Sequence, residues 1–284
     1  MDAFGFMLWL STRRGRLPGM PLKVMTLNIL MGGEDRMPLL LALIAREAPD
    51  VLVLQECLGW EDGERLAHVA AALGLPATEA HVRLGTARPR PSGRRYHVAV
   101  ASRWPLRSAR VHANAHFIGH CLLKCELETG AGPLTLFAAH FDAHHETLRF
   151  VEARYLRSLI EPVAFGERAF LLAGDLNSLS RADPYPVDLA DRVRRARMDK
   201  YGHPPRFDVV DDLEGFGWVD TLRLKPASPQ WATARRQREG EVIDFRTDFV
   251  FASPPLARRL MGAQVVDVGT ASDHHAVTAS FTDA

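Results

Sequence analysis

Lysine and cysteine are both scarce in this chain of 284 residues, and no long apolar run interrupts it. Lys23, Lys124, Lys200 and Lys225 are the only lysines, so nearly all of the 35 basic residues are arginine. Arginine suits bidentate contacts to phosphate, although a GC-rich genome would give the same bias. Three cysteines, Cys57, Cys121 and Cys125, cannot build a disulfide framework, and the odd number fits a reducing compartment. Cys121 and Cys125 stand four apart in GHCLLKCELE, which alternates like a strand. That spacing puts the sulfurs too far apart to share a metal and reads as core. Net charge is nearly absent too, at +1, which argues against holding nucleic acid or anionic lipid through the overall field. The N-terminal MDAFGFMLWLSTRRGR carries its arginines after a short apolar run. A secretory signal needs the positive charge first, and a membrane span needs about 20 apolar residues. Residues 1–20 therefore read as a loose extension with Met20 as an alternative start, and residues 21–284 as one domain of a cytoplasmic monomer with no membrane span.

What is present is a soluble globular composition, 47% hydrophobic and 24% charged. Short apolar runs and helical patterns alternate without a polar linker or repeat. LKVMTLNI and VLVLQE read as buried strands, separated by a helix opened at Pro38 with Met37, Leu40, Leu41 and Ile44 on its apolar face. A second helix is expected around 61–73, and a third from the spacing of Leu148, Val151, Tyr155, Leu156 and Leu159. Between residues 96 and 141 several strands follow one another (YHVAVASR, LRSARVHA, HCLLKCELE, LTLFAAHF). Consecutive strands imply antiparallel hairpins, which a purely parallel doubly wound sheet does not contain. AFLLAGDL, TDFVFAS and HAVTASF add further strands, so the expected class is α+β, with mixed sheets and helices outside.

Polar residues recur where these strands end: Asn28, Glu56, His140 with Asp142, Asp175 with Asn177, Asp248, and Asp273 with His274. One Asp or Asn after a strand is usually a turn former or a helix cap. A carboxylate, amide or imidazole at nearly every buried strand end is different, because such a cluster, if it converges, calls for a cation.

In order along the chain, TLN at 26–28, LQE at 54–56, ASRWPL at 101–106, AAHFD at 138–142, AGDLN at 173–177, RTDFVFAS at 246–253 and SDHHAV at 272–277 resemble the endonuclease/exonuclease/phosphatase superfamily. The resemblance covers essentially the whole domain. It implies a four-layered α/β/β/α sandwich, two mixed sheets face to face with helices outside, and a divalent-metal site for phosphoester hydrolysis at one edge. The chemistry accounts for the residue types. Enzymes remove about 8–23 kcal/mol from such barriers, and general acid–base catalysis alone supplies about 10²–10⁴-fold. Stabilisation of charge on the phosphoryl oxygens must provide the rest, and oxygen ligands suit Mg²⁺ or Mn²⁺ better than zinc.

Carried over residue by residue, the resemblance implies Glu56 as the main metal ligand, Asn28 assisting, and Asp273 ligating directly or through water. Asp175 would position or deprotonate the attacking water, and Asn177 would donate to the transition state. His140 and His274 would bind phosphate and handle protons, with Asp248 orienting His274. Some apurinic endonucleases carry a carboxylate two residues after the first Asn; here that position is Leu30, so apurinic specificity is not supported. The stretch from 81 to 110 holds eight arginines and no acid. Its loop, with Arg94 and Arg95, reads as a phosphate-gripping rim or equally as a solvated basic loop.

Three rivals stand beside this reading. HFDAHH at 140–145 invites a zinc metallo-β-lactamase-type hydrolase, but its second His and Asp are out of place for H-x-H-x-D-H. DHH at 273–275 occurs in another phosphoesterase family, where it lies early in the chain; His144 and His145 read as exposed helix-start residues. The third is a non-catalytic binding module for phosphate or nucleic acid on the same fold. The substrate, nucleic acid or a small phosphodiester, has no readable code in the loops.

Overall fold

The computed structural model describes residues 21–114, 116–130 and 132–282; the extension read at residues 1–20 lies outside them. Strand β1 (Leu22–Asn28) runs parallel to β2 (Val51–Gln55) and antiparallel to β14 (Ala276–Phe281). With β3 (Val82–Gly85), β4 (Val98–Ser102) and β13 (Leu260–Val266) they form a mixed sheet in the order β13-β14-β1-β2-β4-β3. The second sheet is also mixed. It joins β5 (Leu106–His112), β6 (Cys121–Thr129), β7 (Gly132–His140), β8 (Ala169–Asp175), β12 (Asp248–Ala252) and β9 (Val219–Asp220) in the order β5-β6-β7-β8-β12-β9. The hairpins expected from the run of strands are β5-β6-β7. β4, adjacent to them in sequence, belongs to the other sheet, because the bend at Arg103 and Trp104 carries the chain across.

The two sheets face each other over Val24, Val53, Val98, Leu123, Ala138 and Val250, with Cys121 and Cys125 among them. Burial pushes both of these thiols up to about 12, so they are inert core residues. Strands buried on both faces explain the near-continuous apolar runs of the sequence. The outer face of the first sheet is covered by α1 (Met37–Glu47) and α2 (Glu64–Ala72), through Leu40, Leu43, Ile44, Val69 and Ala70. The outer face of the second is covered by α3 (Glu146–Ser158), α4 (Pro162–Glu167) and α6 (Asp208–Phe216). This is the expected four-layered sandwich. Helix α5 (Leu189–Arg195) packs with a separate hairpin, β10 (Ala234–Arg238) and β11 (Glu241–Phe245), around Val193, Tyr201 and Phe245.

The apolar face expected of α3 is partly wrong. Leu148 is 42% exposed, whereas Glu146, Arg149 and Glu152 are buried beside Ala153 and Leu156. Arg149 explains the rotation: its guanidinium donates to Glu146, to Ser178 Oγ (3.1 Å), to the Asp142 carbonyl (3.0 Å) and to the Lys200 carbonyl. A buried cation with all these acceptors costs far less than an unpaired one and ties three loops to one helix.

Gly174 shows how tightly the site edge is built. A Cβ there would lie 1.9 Å from the Ala139 carbonyl oxygen on the neighbouring strand. Gly174→Ala must therefore spread β7 from β8, next to His140 and Asp175, and is expected to cost about 3 kcal/mol or more. Chemical denaturation checks this; an unchanged midpoint would contradict the close approach.

Candidate active site

Strand direction and register gather the polar strand ends. Parallel pairing sets His140 opposite Asp175, and antiparallel pairing sets Asp248 on the other side of Asp175. In the first sheet Asn28 lies opposite Gln55, which leaves Glu56 one residue beyond that edge. β14 opposes β1, with Val277 opposite Thr26, so His274 arrives at the same end. Asp175 is the centre of this cluster. Its Oδ2 accepts from Asn28 Nδ2 (3.0 Å) and lies 3.9 Å from His140 Nε2 and 4.0 Å from His274 Nε2, while Oδ1 accepts from the Asn177 amide (2.8 Å). Burial alone would raise this carboxyl, but the His274, His140 and Lys200 side chains outweigh it and hold Asp175 below its ordinary value.

Asn28 also donates to Glu56 Oε1 (3.2 Å), so one amide spans two carboxylates from different sheets. Its own Oδ1 accepts from the Leu30 amide, and Glu56 Oε2 accepts from the Met31 amide (2.9 Å). Asn28 thus turns its NH₂ group, not its oxygen, toward the pair. Glu56 and Asn177 both adopt left-handed backbone conformations, φ 59° and 49°. Such residues are uncommon and concentrate at functional sites. Asn177 Nδ2 donates to the Phe141 carbonyl (3.2 Å) and its Oδ1 accepts from Lys200 Nζ (3.2 Å), which leaves one amide hydrogen free of these partners.

His274 Nδ1 pairs with Asp248 Oδ2 at 2.8 Å. Burial disfavours the imidazolium, but the Asp248 and Asp175 carboxylates overcome it and raise His274 to about 9. On the other ring nitrogen, Arg236 Nη2 lies 2.7 Å from Nε2. A guanidinium has no acceptor, so at this contact Nε2 must be unprotonated and Nδ1 must carry the proton to Asp248. The carboxylates favour a second proton on the ring, so the imidazolium, with its Nε2–H, forms when the Arg236 guanidinium leaves this nitrogen. Asp273 is turned outward: its Oδ2 accepts from Arg236 Nη1 at 2.6 Å.

His140 stacks on His120, with ring centroids 4.2 Å apart and planes 6° apart. Both His120 nitrogens are buried without a hydrogen-bond partner among the described residues, and burial keeps this ring well below its ordinary pKa. The two imidazoles border a cleft of about 590 Å³ that also meets Leu30, Met31, Glu56, Arg90 and Tyr96. Arg90 pairs with Asp142 (3.2 Å), whose Oδ1 receives the His144 and His145 amides ahead of α3. Asp142 is therefore a turn former. His144 and His145 are exposed, as expected, and Arg94 and Arg95 stand exposed outside this cleft lining.

Ligand atoms of Asp175, Asp248 and His274 lie within 4.8 Å of one another. Since His274 Nδ1 is committed to Asp248, that trio suits proton handling better than metal binding. The donor set that fits a hard cation is the carboxylate pair of Glu56 and Asp175, held together by a single neutral amide. Sequence reasoning missed Arg236, Lys200 and His120. Arg236 comes on the β10–β11 hairpin, whose turn, Glu239-Gly240, takes positive φ at both residues, 50° and 79°. Glu-Gly is a weaker sequence signal for such a turn than Asn-Gly. Lys200 arrives on a short 3₁₀ turn, and His120 immediately precedes β6.

Solved structures share this architecture. An endonuclease/exonuclease/phosphatase from Beutenbergia cavernae superposes with a TM-score of 0.63 at 21% identity, covering 93% of this chain and 72% of that one. An AP endonuclease from Archaeoglobus fulgidus gives 0.63 at 18%, covering 92% and 99%. The 3′ phosphatase NExo from Neisseria, bound to product DNA hairpin, gives 0.64 at 20%, covering 92% and 99%. Likeness at these identities shows the fold alone. No curated protein matches the chain. The family model for the Endonuclease/Exonuclease/phosphatase family matches residues 25–274, a span that contains every strand-end group gathered at this edge. Fold, span and site agree, and the chain belongs to the endonuclease/exonuclease/phosphatase family, whose members hydrolyse phosphoesters.

Proposed function

We propose that this protein is a divalent-metal-dependent phosphodiesterase of nuclease-like type, using Mg²⁺ or Mn²⁺, that acts on nucleic acid or a small phosphodiester. The observation that carries this reading is the convergence on Asp175 of His140, His274 and Asn28, with Glu56 just across the amide. Glu56 and Asp175 would hold the cation, with Asn28 fixing their separation; Asp273, turned outward onto Arg236, would join only through water. When bound, the cation supplies neutralisation of charge on the phosphoryl oxygens.

The chain's own groups divide the remaining work. A phosphoryl oxygen between Asn177, His140 and His274 receives the free amide hydrogen of Asn177 and the ring N–H groups. Lys200 fixes the Asn177 amide through Oδ1. Asp175, held below the ordinary carboxylate range, stays ionised at neutral pH and orients the attacking water more strongly than it takes its proton. Asp248 keeps the His274 ring turned with Nε2 toward the reacting phosphate. Arg94 and Arg95 serve only a substrate long enough to pass the cleft edge, whereas Arg90 lines it.

The pH profile of bis(p-nitrophenyl) phosphate hydrolysis tests this. A histidine raised to about 9 keeps its imidazolium form through neutral pH and loses it as pH rises through that value. Asp248→Asn removes the nearer of the two carboxylates that raise it, leaving Asp175, while burial still lowers it. The alkaline limb should therefore move to lower pH. An unmoved limb would exclude His274 as the titrating group, and no hydrolysis by wild type at any pH would favour a non-catalytic binding module.

A further inference from the structure

A second cavity, of about 440 Å³, opens beside the catalytic cluster between the 197–200 segment and the β10–β11 hairpin. Arg197, Lys200, Arg236, Arg238 and His144 line it, with Asp199 the only acid in the lining. Its positive charge is poorly compensated. The Asp199 carboxylate is bonded to His203 (2.7 Å), and Arg236 is paired with Asp273. Arg197 meets Glu239 at 3.7 Å with both side chains largely exposed, a geometry worth little. Lys200 and Arg238 have no carboxylate within ion-pair distance among the described residues. Two of these cations also touch the reaction centre: Lys200 bonds Asn177, and Arg236 bonds His274. Arg149 anchors the Lys200 carbonyl, so this wall is fixed from within the fold. The cleft of about 590 Å³, which shares His144 with this cavity, presents Leu30, Met31, Pro91 and Tyr96 beside Glu56 and Arg90. The two cavities thus differ in character, one with a mostly apolar rim and one lined chiefly by cations.

We propose that this basic cavity binds a second phosphate on the same substrate molecule, next to the phosphoester held at Asp175 and His274. The inference rests on the phosphodiesterase reading for what occupies the centre, and it narrows the substrate class to molecules carrying at least two phosphates. Arginine forks and a lysine around a pocket with more cations than close carboxylates favour such a group through charge-assisted hydrogen bonds.

Binding tests it without turnover. In chelator, wild type should bind thymidine 3′,5′-bisphosphate about tenfold or more tightly than thymidine 5′-monophosphate. The double variant Arg197→Gln/Arg238→Gln, both at exposed positions, should reduce that ratio to about threefold or less. Equal affinities in wild type, or an unchanged ratio in the variant, would overturn the subsite. In parallel, thymidine 5′-(p-nitrophenyl phosphate) with a 3′-phosphate should be hydrolysed with a higher kcat/KM than the same ester without it. Hydrolysis of neither ester would overturn the phosphodiesterase reading and leave the binding result standing. Affinity that keeps rising along an oligothymidylate series supports the subsite with a polynucleotide as its source. Affinity that levels at the bisphosphate supports it with a small molecule.

Discussion

Replacing His274 with glutamine will lower phosphodiester turnover by about 10²–10⁴-fold, the range of a lost acid–base group, with the fold retained. Glutamine is the informative choice. His274 and Asp248 are both buried, and their 2.8 Å contact is the charged partner of a carboxylate whose Oδ2 otherwise accepts only from Thr247 Oγ1 (3.2 Å). Removing one partner of such a pair costs about 3–5 kcal/mol, so alanine would confound lost chemistry with lost stability. A glutamine amide can still donate toward Asp248 but cannot carry a proton to or from a leaving oxygen. Steady-state kinetics on a chromogenic diester, with thermal unfolding as the control, give the result. Turnover within a few-fold of wild type in a folded His274→Gln protein would remove His274 from the mechanism.

Glu56→Gln will reduce metal-supported activity by about a thousandfold, the equivalent of several kcal/mol of charge stabilisation. The substitution keeps the side-chain shape and one oxygen. It removes the negative charge and sets an amide against donors from Asn28 and Met31. The left-handed backbone at Glu56 is unaffected, because glutamine meets the same strain. Part of the loss should return at high Mg²⁺ or Mn²⁺, since Asp175 still offers a carboxylate to the same cation. The half-saturating metal concentration is therefore the decisive readout. If it does not move, Glu56 is not a ligand.

These two residues were legible in the sequence for a physical reason. Glu56 follows an apolar strand and His274 precedes one, and strands buried on both faces announce themselves as unbroken apolar runs. Once the strands are placed, pairing direction decides which ends meet, and the parallel β1–β2 and β7–β8 pairs bring Glu56 beside Asn28 and His140 beside Asp175. Arg236 was not legible. It sits in ARRQR, an arginine-rich alternating strand outside both main sheets, and only the tertiary seat of that hairpin against residues 273–275 gives it a role. Lys200 depends in the same way on the buried Arg149, which holds the Lys200 carbonyl. Glu146, Arg149 and Glu152 misled the reading of α3, because a helix face that buries an ion network breaks the rule that the apolar stripe points inward. The loop arginines carried too little information to separate one that lines the cleft, Arg90, from two that do not, Arg94 and Arg95.

In the proposed mechanism a cation held near Glu56 and Asp175 and the proton-handling pair at His274 act together on a phosphodiester. The most direct test is the rate of bis(p-nitrophenyl) phosphate hydrolysis by the wild-type protein in Mg²⁺, measured again after a chelator in excess and after Mg²⁺ is restored. Hydrolysis should vanish with the chelator and return with the metal. Hydrolysis at the same rate in chelator would contradict it, as would none in Mg²⁺ or Mn²⁺.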